Sequence, residues 1–245
     1  MLILGVDTAT RATVAALVRS GDGDGESLEL EARDDPAPGR RPQHATRLLA
    51  LVAEVLERGG VGWDAVERIA VGIGPGTFTG LRIGVATARA LARARGIELV
   101  GVSTLRSIAA NAGATAGRED AEAVLAVLDA RRGEAFAAAW SADAIAADAA
   151  ELVSPRACDP EALAAVVSQL GRATLAAGEG AVEFRTVLER AGAVVPGDES
   201  VLHRVSAIAH CRLAVGMRAS SPDQVHPAYL RLPDAEINRR AAASR

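Results

Sequence analysis

Lysine is absent from this chain: all 27 basic residues of its 245 are arginine. A guanidinium stays protonated at physiological pH, which excludes a P-loop lysine, a Schiff-base lysine and a lysine general base. Aromatic residues are almost as scarce, with three Phe, two Trp and one Tyr. The core must therefore be built from Ala, Val, Leu and Ile, which favours alternating helices and sheet over an aromatic-rich sandwich or a base-stacking RNA module. Only two cysteines occur, Cys158 and Cys211, far apart in the chain. There is no signal-peptide pattern and no apolar run of about 18 residues, so a cytoplasmic protein with reduced thiols and no membrane association is expected. A formal charge of -4 offers no general attraction for phosphate backbones. Contact with nucleic acid would then be local or supplied by another protein.

What is present reads as α/β. Leu2 to Val6 and Thr13 to Val18 are short apolar runs of strand character, the first ending at Asp7. From Gly21 to Pro42 the chain is rich in Gly, Asp, Pro and Arg, with one candidate edge strand at Ser27 to Ala32 and a loop after it. Leu48, Leu49, Val52, Val55 and Leu56 recur at helical spacing between His44 and Arg58, and Gly59-Gly60 stops the pattern. Arg68 to Ile73 reads as a strand, Gly74 to Gly80 as a glycine turn, Leu81 to Arg95 as a helix and Glu98 to Val102 as a parallel return strand. Further on, strands are expected at 123–128, 134–140 and 173–177, and helices at 160–170, 181–190 and about 201–218. The resulting organisation is a first lobe at 1–102, a smaller α/β lobe at 103–200, a helix and extended segment at 201–231 packing back on the lobes, and a frayed tail at 232–245.

Three features bear on chemistry. The glycine turn ends in a helix N-terminus, where exposed amides attract anions, yet it matches neither the dinucleotide nor the P-loop fingerprint. A tight turn allowing close helix-to-sheet packing is the favoured reading of it on residues alone. Asp7-Thr8 at a strand end is where an actin-like or sugar-kinase-like phosphotransferase holds Mg²⁺ and phosphate, and also where ordinary turns and caps occur. Asp7, Thr8, Gly74, Gly76 and Gly80 are thus the candidate nucleotide or phosphate residues. The histidines offer no second imidazole to His44 on its helix, and no Ser/His/Asp or Cys/His set emerges from their spacing.

The third feature is the helix after the turn. Arg82, Arg89 and Arg93 form a narrow stripe, with Leu81, Val85, Ala88 and Ala92 on one side and Ile83, Thr87, Ala90 and Ala94 on the other. Two apolar flanks imply two surfaces to bury against, one the protein's own sheet and the other a neighbouring helix or a second subunit. Complete burial inside one lobe is the competing reading. Leu48, Leu49, Val52, Leu81, Val85, Ala88, Ala90 and Ala92 are the candidate partner-facing residues.

Six blocks of this sequence resemble the TsaB family, also called YeaZ. They are Leu4 to Thr10, Pro42 to Leu56, Gly74-Pro75-Gly76-Thr77-Phe78-Thr79-Gly80-Leu81-Arg82-Ile83-Gly84, Gly101 to Leu105, Leu128-Asp129-Ala130-Arg131-Arg132-Gly133-Glu134, and Pro227-Ala228-Tyr229-Leu230-Arg231. They run in order along nearly the whole chain; 142–200 and 21–41 carry little of the resemblance. It implies an actin-like (ASKHA, ribonuclease H-like) α/β fold of two related lobes, with mixed sheets flanked by helices. It also implies a non-catalytic, dimerising and activating role in making N6-threonylcarbamoyladenosine (t6A) beside the tRNA anticodon. In that family the transfer chemistry belongs to a paralogue, TsaD, whose metal-binding His-x-x-x-His segment corresponds here to Thr104 and Ile108. Isoleucine has no donor atom for a metal. The implied partners are TsaD and a TsaE-type ATPase, with a homodimer open to the isolated chain and tRNA met only through the complex. The chain would carry no cofactor or metal of its own; ATP, Mg²⁺ and the metal ion belong to the partner assembly. A small-molecule phosphotransferase of the same fold, using Asp7 and the Gly74 to Gly80 turn, is the alternative. A peptidase-like activity has neither metal ligands nor a nucleophile set to support it.

Overall fold

The computed structural model describes residues 1–20, 28–37, 39–115, 121–143 and 150–231. The expected tail at 232–245 and part of the loop between Gly21 and Pro42 lie outside them.

The first sheet contains β1 (Leu2–Asp7), β2 (Thr13–Arg19), β3 (Leu28–Asp34), β4 (Arg68–Gly74) and β5 (Glu98–Ser103), in the order β3-β2-β1-β4-β5. β1, β2 and β3 are antiparallel neighbours, while β4 and β5 run parallel to β1. α1 (His44–Arg58) and α2 (Phe78–Arg95) supply the two crossovers into β4 and β5. The second sheet has the order β8-β7-β6-β9, from β6 (Ala123–Arg131), β7 (Glu134–Ser141), β8 (Val153–Cys158) and β9 (Thr174–Ala177). α3 (Thr104–Thr115), α4 (Pro160–Leu170), α5 (Glu179–Glu183), α6 (Arg185–Arg190) and α7 (Ala207–Gly216) complete it.

Near-continuous apolar strands need cover on both faces, and the helices provide it in layers. One apolar cluster joins α1 and α2 to the outer face of the first sheet through Leu48, Val52, Val55, Val85, Ala88 and Ala92. A second lies between the sheets, where α3 and α7 meet both through Leu105, Ile108, Cys211 and Ala214. The third seats α4, α5 and α6 on the far face of the second sheet. Trp140 is the largest fully buried side chain, in the middle layer.

Helix α1 has the expected ends, and β3 is the edge strand foreseen at Ser27 to Ala32, shifted to Leu28–Asp34. Helix α2 starts at Phe78, three residues before the periodicity suggests, because Thr77 is extended and Gly80 and Gly84 turn flat faces to a neighbouring strand end. The helix expected at 181–190 breaks at Phe184, leaving α5 and α6. The helix expected at about 201–218 is corrected more strongly. Val201–His203 is a 3-10 turn, Arg204 is extended, and α7 begins only at Ala207, capped by the Ser206 side chain. Glu31 of β3 reinforces this start: its Oε2 accepts from Ser206 Oγ (2.9 Å) and the Ala207 amide (2.7 Å), at the positive end of the helix.

Candidate functional site

Asp7 closes β1 in the middle of the molecule with 1% of its surface exposed. Its Oδ1 accepts the Ala9 amide at 2.5 Å, and its Oδ2 accepts Thr104 Oγ1 at 3.0 Å. The same Oδ2 meets His210 Nε2 at 2.8 Å. A carboxylate only accepts, so Nε2 carries the hydrogen in that contact. On the other side of the ring, His210 Nδ1 lies 2.5 Å from Ser107 Oγ, which in turn reaches the Ser206 carbonyl (3.2 Å). Ser107, His210 and Asp7 thus form a hydrogen-bonded chain tying α3, α7 and β1 together. It resembles a hydrolase triad only in residue types. Both Ser107 and His210 are 0% exposed, so no substrate can reach the hydroxyl. The chain was invisible in the sequence, where 203 positions separate Asp7 from His210; the spacing of His203 and His210 favours a solvated helix face, whereas both side chains are buried, 6% and 0% exposed.

Gly72 makes the pairing sterically feasible. A Cβ there would sit 1.8 Å from Asp7 Oδ2 and 2.7 Å from His210 Nε2. The glycine turn behaves similarly toward the segment after Asp7. Gly76 packs against the Ala9 backbone, Gly80 against the Thr8 carbonyl and Gly84 against Thr8 Oγ1, leaving no room for a side chain. The Thr77 amide donates to the Ala9 carbonyl (2.7 Å), and Thr8 Oγ1 donates to the Gly80 carbonyl (2.7 Å). Gly74 precedes a cis Pro75 with φ +105°, packed on Leu81 and Ala228. Close packing of loop on turn therefore accounts for these glycines. Asp7 has no open face for Mg²⁺ and Thr8 is committed to the turn, so these residues do not fit a metal-phosphate centre. Among the described residues no group of three His, Cys, Asp or Glu side chains is placed to hold a metal ion. Thr104 spends its hydroxyl on Asp7, and Ile108 is wholly buried in the middle layer.

On the outer face of the first sheet the two flanks of α2 are resolved. Leu81, Val85, Ala88 and Ala92 are buried against the sheet, as are Leu48 and Val52 of α1. These six candidates are withdrawn from the partner-facing set, because a side chain enclosed by its own core has no surface to offer. Leu49, 52% exposed, and Ala90 remain, with exposed Ala45, Ala50 and Ala53 of α1 and Ala86 and Ala94 of α2 around them. The arginine stripe is occupied by the protein's own C-terminal segment. Arg82 stacks over the Phe78 ring at 3.8 Å and bonds Tyr229 Oη at 3.2 Å, while Arg89 and Arg93 both pair with Asp223. The Ala228 amide donates to the Ile73 carbonyl (2.7 Å), and Arg231 continues to Glu134 of the second sheet (2.7 Å).

His44, at the buried start of α1, bonds Thr13 Oγ1 through Nδ1 (2.8 Å), and burial pushes its pKa down. It is a packing residue linking α1 to β2. No helix among the described residues is long and apolar enough to cross a membrane.

Strand order and paired lobes define an actin-like α/β protein, and the candidate phosphate residues Asp7, Thr8, Gly76 and Gly80 are taken up by packing between the end of β1 and the glycine turn. A family model described as TsaD, tRNA N6-adenosine threonylcarbamoyltransferase, matches residues 40–209. TsaB of Escherichia coli is 36% identical over 143 residues, 58% of this chain and 56% of that one; TsaB of Haemophilus influenzae is 30% identical over 167 residues, 66% and 65% of the two chains. The chain belongs to the TsaB/YeaZ family. The solved YeaZ of Pseudomonas aeruginosa superposes with a TM-score of 0.72 at 26% identity, over 94% of this chain and 99% of that one. The chain spans 56% and 65% of the length of these two TsaB relatives.

Proposed function

We propose that this chain is a non-catalytic subunit in the biosynthesis of t6A on tRNA, docking through the outward face of α1 and α2 on a catalytic paralogue of the TsaD type and activating it in the cytoplasm. Membership of the TsaB/YeaZ family supports the pathway, since the named relatives are t6A biosynthesis proteins. The observation that carries the non-catalytic part is the state of Asp7. Every hydrogen bond around it runs to the protein itself, and Gly72 and His210 fill the volume beside it. A phosphotransferase needs that carboxylate facing a metal and a nucleotide, so the phosphotransferase reading is the weaker one.

The docking face follows from what the core leaves over. α1 and α2 give their large side chains to the sheet and present Leu49 among alanines outward, a surface on which a second helix pair can approach closely at small cost in side-chain entropy. The C-terminal segment pairs with the arginine stripe beside it and so marks its border. A TsaE-type ATPase would join the assembly, bringing ATP and Mg²⁺, and tRNA would be held by the complex. The test is to mix the purified chain with the TsaD-type transferase of the same organism and determine the mass of the product by light scattering. A complex containing both chains is expected. Two unassociated proteins would count against the reading.

A further inference from the structure

A cleft of about 320 Å³ lies between the lobes, outside the Asp7 network. At ~30 Å³ per water it has room for a ligand of roughly ten heavy atoms. Its walls include Arg11 from the β1–β2 loop, Asp35 beyond β3, Glu179 at the start of α5, and Asp198, His203 and Arg204 from the segment before α7.

Most of these charges already have partners. Asp35 is held by Arg33 through two bonds (2.7 and 2.9 Å) and Asp198 by Arg185 (2.5 Å). His203 turns one ring nitrogen to the Gly178 carbonyl and the other to the Pro196 carbonyl, both at 3.1 Å, so its ring is used by the wall. Arg204 lies 4.0 Å from Glu199 and also acts on Asp35. Two groups stand apart. Among the described residues Arg11 donates only to the Arg40 carbonyl (2.7 Å) and has no carboxylate within ion-pair reach. Glu179, partly buried, accepts no hydrogen bond and makes no ion pair among the described residues; Arg131 and Arg11 act on it only at longer range, and Arg131 is itself bonded to Asp129 (2.7 Å). Burial raises the pKa of the Glu179 carboxyl, and the positive charges of Arg131 and Arg11 offset this only in part.

A cleft presenting one cation and one carboxylate, neither in an ion pair with a described residue, is complementary to a small molecule carrying both signs. We propose that the interlobe cleft binds a free α-amino acid, its carboxylate on Arg11, its ammonium on Glu179 and a short side chain against Val182 and Val205. A simple anion would satisfy Arg11 and face Glu179 with like charge; a simple cation would do the reverse. Only the zwitterion compensates both. This site is separate from the docking face on α1 and α2 and does not depend on it.

The experiment is an NMR titration of the isotope-labelled full chain with L-alanine, L-serine and L-threonine, alongside propionate, propylamine and inorganic phosphate as probes of one sign. Saturable millimolar binding of the amino acids, with shifts centred on the cleft, is expected. Each charged hydrogen bond contributes about 1.5 kcal/mol or more, so Arg11→Gln and Glu179→Gln should each weaken binding by about tenfold or more. Thermal melts of both variants establish that they are folded. Absence of saturable binding overturns the proposal, as does amino-acid binding that survives in both variants. Phosphate or propionate binding as tightly as the amino acids, and unaffected by Glu179→Gln, overturns it in favour of a plain anion site.

Discussion

His210 Nε2 lies 2.8 Å from Asp7 Oδ2, joining α7 to the end of β1 in a space that Gly72 leaves open. A carboxylate that holds a metal ion beside a phosphate has to face an open site. Here the Asp7 carboxylate faces an imidazole, and the same contact fastens α7 between the two sheets. Stability and the sealing of the site are therefore one property, and both should fail together when the pair is broken. His210→Ala leaves a buried carboxylate short of a donor and opens a void, and the loss should be about 3 kcal/mol in urea unfolding. Less than about 0.5 kcal/mol, the range of an ordinary surface change, would contradict the assignment. Gly72→Ala should not yield folded protein, since its Cβ would overlap Asp7.

His44 should make stability pH-dependent. Burial lowers its pKa below the ordinary 6.5. The folded state therefore resists protonation more than the unfolded chain does. Its contribution is complete above pH 6.5 and is lost as pH falls below that value toward the folded pKa. Melting temperatures taken across this window should drop with acidification in the wild type. They should drop less in His44→Gln, which keeps a polar group near Thr13 but has no proton to gain.

Glu179 should act with the opposite sign. Its pKa is raised by burial from the ordinary 4.5, so the folded state binds the proton more readily than the unfolded chain. Below pH 4.5 the group is neutral in both states and costs nothing; as pH rises through the folded pKa it ionises in place at a cost. Glu179→Gln should therefore raise the melting temperature at neutral pH, with a gain that disappears in acid. A destabilised variant at neutral pH would contradict this.

Tyr229 tests the C-terminal strap. Its ring meets Phe78 at 5.2 Å between centroids and its hydroxyl meets Arg82. Tyr229→Ala should cost about 1 kcal/mol, the worth of such an aromatic pair. The exposed Arg89–Asp223 pair should contribute less, so Asp223→Ala should be close to neutral. Denaturant melts of the two variants side by side give the comparison.

The local pattern was legible wherever one element explains itself. Leu48, Val52 and Val55 repeat at helical spacing and Gly59-Gly60 stops them, so α1 was readable to its ends. The strand, glycine turn and helix from Arg68 to Arg95 were readable for the same reason. The end of the chain was not. Alanine suits a helix or a buried strand, so nothing local marks where α7 starts; Ser206 and Glu31, far apart in sequence, set that point. The two flanks of α2 look alike in composition, and only the sheet beneath tells Ala88 from Ala90. The Asp7 network is a tertiary fact, made by α3 and α7 converging on β1. The glycine turn carried two readings, and the contacts of Gly76, Gly80 and Gly84 with Thr8 and Ala9 favour packing.

The docking face gives the sharpest contrast between two positions two residues apart. Ala88 is 0% exposed and Ala90 faces outward on the same helix. A carboxylate at the first must be buried without a partner, at a cost of several kcal/mol; at the second it meets water unless another protein covers it. The decisive measurement is a thermal melt of Ala88→Glu and Ala90→Glu, with a pull-down and a t6A synthesis assay using the TsaD-type transferase. Docking through α1 and α2 predicts that Ala88→Glu is poorly folded, whereas Ala90→Glu melts like the wild type but neither binds the transferase nor supports modification. An Ala90→Glu protein that is folded, still binds and still supports modification would contradict it.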